Sequence, residues 1–196
     1  MAAREGKVDA ALPPVAAGDE LTLRVDANPA DRYGRLRAFA FVKRQGLERS
    51  LQHDMLALGF ALVAPRAGAP DCVKELLALE REARAARVGI WAAPGLVREA
   101  AQPAALLTER GRLMLVEGRV LSVRESGGTI YVNFGRRWSE DFTVTIPKRN
   151  ERAFIAAGLA PKVLERRRVR VRGFIEERGG PWIEARHAEQ IELLQE

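Results

Sequence analysis

The stretch DRYGRLRAFAFV, Asp31 to Val42, places an acid, two arginines, a tyrosine and a glycine just ahead of an apolar run. A turn needs Gly34 and a strand needs the alternation that follows, but neither needs Arg32, Tyr33 and Arg35 together. Arginine presents a planar fork that matches a phosphate, and a glycine permits a tight approach. A second group lies downstream, where Tyr131 and Trp138 flank Arg136 and Arg137, with Lys148 and Arg149 one strand later. Aromatic side chains among cations suit single-stranded nucleic acid, the rings stacking on bases and the charges following the backbone. Strand alternation sends Tyr131 and Phe134 to opposite faces, so Phe134, Phe142 and Trp182 read as core.

The elements that must hold these residues follow from periodicity. Leu21–Ala27 and Leu36–Val42 alternate with period two and read as strands flanking an NPAD turn. KRQGLE leads to Ser50, a good N-cap, and a helix then carries Leu51, Met55, Leu56 and Leu58 to a stop at Gly59. FALVA is short and apolar, a strand or a buried connector. Asp71 reads as the cap of a long helix from about Cys72 to Arg87, stopped by Gly89. Leu96–Pro103 reads as a linker. Beyond Leu106 come two strands joined by SGG, a third in DFTVTIP, a short helix in ERAFIAAGL, a hairpin turning at Gly179–Gly180, and a last strand in AEQIELL. Glu165–Arg172, ERRRVRVR, reads as a strand with valines inward and arginines outward.

The fold class expected is α+β, mainly β. A partial barrel with helices occupies residues 1–98, and residues 106–196 form a second small β-barrel of the oligonucleotide-binding (OB) type, with its helix between the third and fourth strands.

Composition narrows the chemistry. One cysteine, Cys72, excludes an internal disulfide and a cysteine-built zinc site, and it reads as a small core residue. His53 and His187 lie far apart without metal-ligand spacing, His53 having no nearby acid beyond Asp54. No apolar run approaches the roughly 20 residues that span a bilayer, and the charged N-terminus lacks a secretory centre, so no membrane role and a cytoplasmic location are expected. Met1–Glu109 holds 15 basic and 14 acidic residues and Arg110–Glu196 holds 17 and 12, so the second part carries five of the six excess charges. That asymmetry favours an acidic partner.

The order DRYGRLRAFAFV, then a helix ending LALGFALVA, then a charged helix ending GIWA, resembles the staphylococcal nuclease (thermonuclease-like) family over Leu21 to Ala92. The resemblance implies a calcium-dependent phosphodiester hydrolase, with Arg35 matching one of two arginines on the scissile phosphate. Arg32 and Tyr33 match a pair that contacts a neighbouring phosphate. The family's first arginine, glutamate and metal-holding aspartates come from earlier strands of the DGD(T)…R kind, which this sequence lacks. Asp19, Glu20 and Asp26 are the only acids near the first strand. A hydrolase of this type needs carboxylates for its cation and an oriented base for water. The expected function is single-stranded DNA or RNA binding by a protein that keeps the phosphate turn. The alternatives are a calcium-dependent nuclease completed by other carboxylates, or an interaction scaffold. Calcium is implied only for the nuclease, and the open edge of the Leu21 strand calls for a partner strand or a second copy.

Overall fold

The computed structural model describes residues 15–30, 34, 36–44, 46–64, 70–137 and 139–194, without the side chains of 26–30, 37, 44, 70 and 71. The chain divides into two compact units, one reaching Val63 and including Lys74–Ala92, the other holding Ala93 onward. It is α+β and mainly β, as expected. Among the described residues no helix is long and apolar enough to cross a membrane.

In the first unit, β1 (Leu21–Ala30), β2 (Leu36–Arg44) and β3 (Leu47–Ser50) form an antiparallel meander. The segment read as a lead-in to the helix is thus a third strand. Gly46, at φ +78°, supplies the left-handed turn that brings Glu48 opposite Lys43. Ser50 caps α1 (Leu51–Ala57), its side chain accepting the His53 N–H at 3.4 Å. The helix closes as the glycine predicts. Gly59 N–H reaches Leu56 C=O at 2.9 Å and Phe60 N–H reaches Met55 C=O at 2.8 Å, the paired bonds of a Schellman stop.

FALVA is a connector rather than a strand. The Val63 N–H finds no ladder and donates instead to the carboxylate of Glu80, at 2.7 Å. Glu80 is fully buried on α2 (Pro70–Ala85) and lies 3.6 Å from the Arg84 guanidinium. Cys72, expected in the core, is exposed on the first turn of α2. His53 also departs from expectation, its Nε2 lying 3.7 Å from Glu75 of α2.

Gly89 does not stop α2. Arg87 does so at φ +54°, with Val88 N–H bonded to Ala83 C=O at 3.1 Å. Gly89 instead meets Gly59: a Cβ on Gly89 would lie 2.4 Å from the Gly59 carbonyl oxygen, and Ile90 N–H donates to that oxygen at 2.8 Å. Buried Trp91 follows. The spacing of LALG and GIW therefore records a backbone-to-backbone contact that side chains would block.

The second unit has two sheets. One is ordered β12-β9-β5-β4, from β4 (Val97–Glu99), β5 (Leu113–Arg119), β9 (Arg168–Phe174) and β12 (Ile191–Leu193). The other is ordered β10-β11-β8-β7-β6, from β6 (Ser122–Ser126), β7 (Thr129–Asn133), β8 (Thr143–Pro147), β10 (Glu176–Arg178) and β11 (Gly180–Glu184). The chain passes between the sheets at Val120–Leu121 and at Ile175, residues outside any strand, and the strands form two sheets and not one closed barrel. Helix α3 (Pro103–Leu107) precedes β5, and α4 (Glu151–Ala156) lies between β8 and β9. Val116, Val120, Phe142, Val144, Ile146, Phe154, Val171 and Ile183 are fully buried between the sheets.

The stretch read as a linker is in part β4, paired parallel to β5 through Val97 and Leu115. Its local sequence is too short to show alternation, and the pairing comes from the partner strand. The arginine strand also differs from expectation. Val169 and Val171 are buried, but so is Arg172, at 5% exposure, and Arg170 is largely covered. Arg170 stands directly opposite Glu117 on one side and Glu192 on the other, bonded at 2.7 and 2.8 Å. Such cross-strand pairs stabilise a sheet and leave little of this charge for an outside partner.

Two outcomes follow. Gly89→Ala should lower stability by roughly 2–4 kcal/mol, from left-handed strain and overpacking, whereas Arg87→Gly should leave it unchanged or raise it by up to about 1 kcal/mol. Urea denaturation reads both. Separately, Glu109 is buried among Arg98 and Arg112, and the Arg98 hydrogen bond holds its carboxyl below the ordinary 4.5. A depressed carboxyl contributes stability above its unfolded value and loses that contribution as pH falls through the folded value. The stability gap between the parent chain and Glu109→Gln, measured from neutral pH downward, should therefore narrow below about pH 4.5.

Candidate nucleic-acid interface

The β6–β7 hairpin turns on Gly127 and Gly128, at φ +56° and +75°, the two consecutive left-handed residues that a tight hairpin favours. That turn sets Ser126 opposite Thr129, Arg124 opposite Tyr131 and Ser122 opposite Asn133. Val123, Ile130 and Val132 consequently face the core at 5%, 3% and 1% exposure. The other face is polar and opens into a groove of about 720 Å³, lined by Leu121, Ser122, Arg124, Ser126, Tyr131, Asn133, Gly135 and Arg136.

The floor of the groove is fixed. Thr143 Oγ1 donates to Asn133 Oδ1 at 3.4 Å, and Asn133 Nδ2 donates to Ser122 Oγ at 3.4 Å. Tyr131 stands above this chain, 37% exposed. The side chains of Arg124 and Arg136 are exposed and make no hydrogen bond or ion pair among the described residues. An aromatic ring and two guanidinium groups lining one groove are chemistry suited to stacking a base and holding phosphates.

The loop that presents Arg136 is shaped by Asp141, whose Oδ2 accepts the Arg137 N–H at 2.7 Å. Gly135 packs on that carboxylate so closely that a Cβ would lie 2.1 Å from it. Phe134 and Phe142 pack together with ring centroids 4.9 Å apart and planes tilted by 46°, as the core reading of these aromatics expects. Trp182 is buried too, with the Arg178 guanidinium 3.4 Å from its ring.

Tyr131 and Arg136 thus share the groove. Arg137 does not line it and pairs with Glu140 at 3.1 Å. Lys148 lies outside as well, held by Glu125 at 2.6 Å and Glu151 at 2.8 Å, and those hydrogen bonds raise its pKa. Arg149 is exposed on the turn after β8, away from the groove lining. Arg32, Tyr33, Arg35 and Trp138 lie outside the described residues. Arg124 was missed by the sequence reading, although the two-residue glycine turn already implied its pairing with Tyr131.

Asp19 accepts the Ala16 N–H at 2.7 Å and serves its own turn, while Asp31 and the side chain of Asp26 lie outside the described residues. Among the described residues no three His, Cys, Asp or Glu side chains come together as a metal site, so they do not fit the calcium that the resemblance implies.

Residues 15–93 match the staphylococcal nuclease homologue family, a span that holds the Asp31–Arg35 sequence motif and the Gly59–Gly89 contact. The match covers that segment and not the chain as a whole. It relates this part of the chain to nucleases and to nucleic-acid binding. No curated protein matches the chain. Among solved structures, "OBody AM1L10 bound to hen egg-white lysozyme" is similar at 19% identity and a TM-score of 0.37, over 53% of this chain and 98% of that one. A putative aspartyl-tRNA synthetase from Leishmania major Friedlin shares 9% identity at a TM-score of 0.36, over 50% of this chain and 20% of that one. A chain of the S. pombe Stn1-ten1 complex shares 12% at 0.31, over 43% and 59%. These likenesses are too remote to carry a function.

The loop geometry yields a test of its own. Gly135→Ala should cost about 1–3 kcal/mol, because the new methyl must displace the Asp141 carboxylate. Thermal denaturation reads the loss, and faster amide exchange at Arg137 should accompany it.

Proposed function

We propose that this protein binds single-stranded nucleic acid through the β6–β7 groove. The observation that carries the reading is Tyr131, exposed and directly opposite an uncommitted Arg124, with Arg136 across the same groove. The ring takes a base and the arginines take flanking phosphates, so binding tolerates many sequences and weakens with salt. The excess positive charge of the second part of the chain adds long-range attraction. The nuclease homologue segment contributes phosphate contact through Arg32, Tyr33 and Arg35, the residues that match the family turn.

The test uses the full chain with labelled single-stranded DNA and RNA, in calcium and in chelator, scoring binding and strand scission together. Tyr131→Ala should weaken binding by about fivefold to a hundredfold, the worth of one stacked base. Arg124→Ala and Arg136→Ala should each reduce the slope of log affinity against log salt by about 0.7. Binding should survive chelator. Unchanged affinity in Tyr131→Ala together with an unchanged salt slope in both arginine variants would reject the groove. Scission that requires calcium and is lost in Arg35→Ala would instead establish the nuclease.

A further inference from the structure

Among the described residues the β1–β2–β3 sheet has an apolar face that is open along β1, although Val42 on the same face is buried. Register and alternation put Leu21, Leu23 and Val25 on the same face as Ala38, Ala40 and Val42. Leu21, Leu23 and Val25 are 42%, 52% and 50% exposed, and Leu36 on the same face is 64% exposed. The two edges of this sheet are treated differently. Beyond the end of β3, the Gln52 side-chain amide replaces a strand: it accepts the Ala40 N–H and donates to the Ala38 C=O, both at 3.1 Å. At the other edge β1 pairs only with β2 among the described residues. An extended edge with an apolar face is a template for another strand.

Charge selects the occupant. The run Glu20-Leu21-Thr22-Leu23-Arg24 is self-complementary when read antiparallel. Centred on Thr22, a second copy places threonine opposite threonine, Leu21 opposite Leu23 and Glu20 opposite Arg24, the last two pairings occurring twice. Each of these pairings is favourable across strands. Centring on Leu23 instead faces Glu20 with Asp26, and centring on Arg24 faces arginine with arginine. Centring on Leu21 moves Leu23 and Arg24 opposite Asp19 and Gly18, outside β1. A shift by one residue sets the apolar face against the polar one. Arg24 already bonds Glu48 in its own sheet at 2.5 Å, yet its side chain is 61% exposed and keeps further donors.

We propose that two copies of this protein pair β1 with β1 in the Thr22-centred antiparallel register. The product is a six-stranded sheet with Leu21, Leu23 and Val25 of both copies side by side on one face. Binding to nucleic acid is not required for this association.

Light scattering and sedimentation of the full chain test it first. The expected mass is twice the 21.7 kDa of one chain, with dissociation on dilution. Glu20→Lys and Arg24→Glu should each raise the dimer dissociation constant about tenfold or more, since two attractive pairs become repulsive. Mixing the two variants restores opposite charges in every pair and should recover the dimer. Circular dichroism confirms that each variant is folded.

Cross-linking reads the register. In a Cys72→Ser background, Thr22→Cys should form a disulfide dimer under oxidation by dioxygen with a copper catalyst. Directly opposed residues have Cα atoms about 4.5–5.5 Å apart, within disulfide reach. Leu23→Cys should not cross-link, because its own copy lies diagonally at about 7 Å or more. A monomer at all concentrations, a dimer indifferent to both charge variants, or cross-linking at Leu23 in place of Thr22 would overturn the proposal.

Discussion

The constraint on which the groove depends is the two-residue turn at Gly127–Gly128. Side chains on a strand alternate with period two, so slipping the β6–β7 pairing by one residue would exchange the two faces of either strand. Val123, Ile130 and Val132 would then meet solvent while Arg124 and Tyr131 entered the core. With both turn residues left-handed, the pairing Ser126–Thr129 is set, and every later pair follows from it. The chemistry of the groove is therefore a consequence of a register held by the core. The apolar residues supply the energy, and the turn decides which polar ones are presented.

Net charge is a poor guide to where an anion would bind on this chain. The arginines of β9 look like a basic stripe, but Arg168 and Arg170 meet Glu99, Glu117 and Glu192 from neighbouring strands. Lys148, Arg137 and Arg186 have acidic partners as well. A paired cation must give up its partner before it can hold a phosphate, which offsets much of the gain. Among the described residues the side chains of Arg124 and Arg136 have no acidic partner to give up, and in the register the residue facing Arg124 is a tyrosine.

Local signals in the sequence were legible where one residue settles a conformation. Ser50 as a cap, Gly59 as a stop and the glycine hairpins all follow from backbone preferences of single residues. The failures share a cause, which is dependence on a distant partner. β4 exists because Leu115 and Glu117 offer a ladder, and FALVA, open in the sequence between strand and connector, is decided as a connector where the Val63 N–H meets Glu80 from 17 residues away. Arg172 is buried although alternation with its valine neighbours would expose it, and Cys72 is exposed because the first turn of α2 leaves it uncovered. The phosphate turn was legible only as a motif, and its arginines and tyrosine lie outside the described residues.

The family match and the groove rest on different parts of the chain. The segment that matches the nuclease homologue family contains an architectural contact, Gly59 against Gly89, where the backbones approach too closely for any side chain. Such contacts preserve a helix arrangement whether or not the chemistry once associated with it remains. The groove has to be judged by its own residues. β7 sends Ile130 and Val132 to the core and Tyr131 to the other face, where it is 37% exposed. The ring stands beside a guanidinium without a partner among the described residues, over a floor of hydrogen-bonded Ser122, Asn133 and Thr143. That combination is why we propose a flat, anionic ligand for the groove, since single-stranded nucleic acid supplies both properties in one repeating unit.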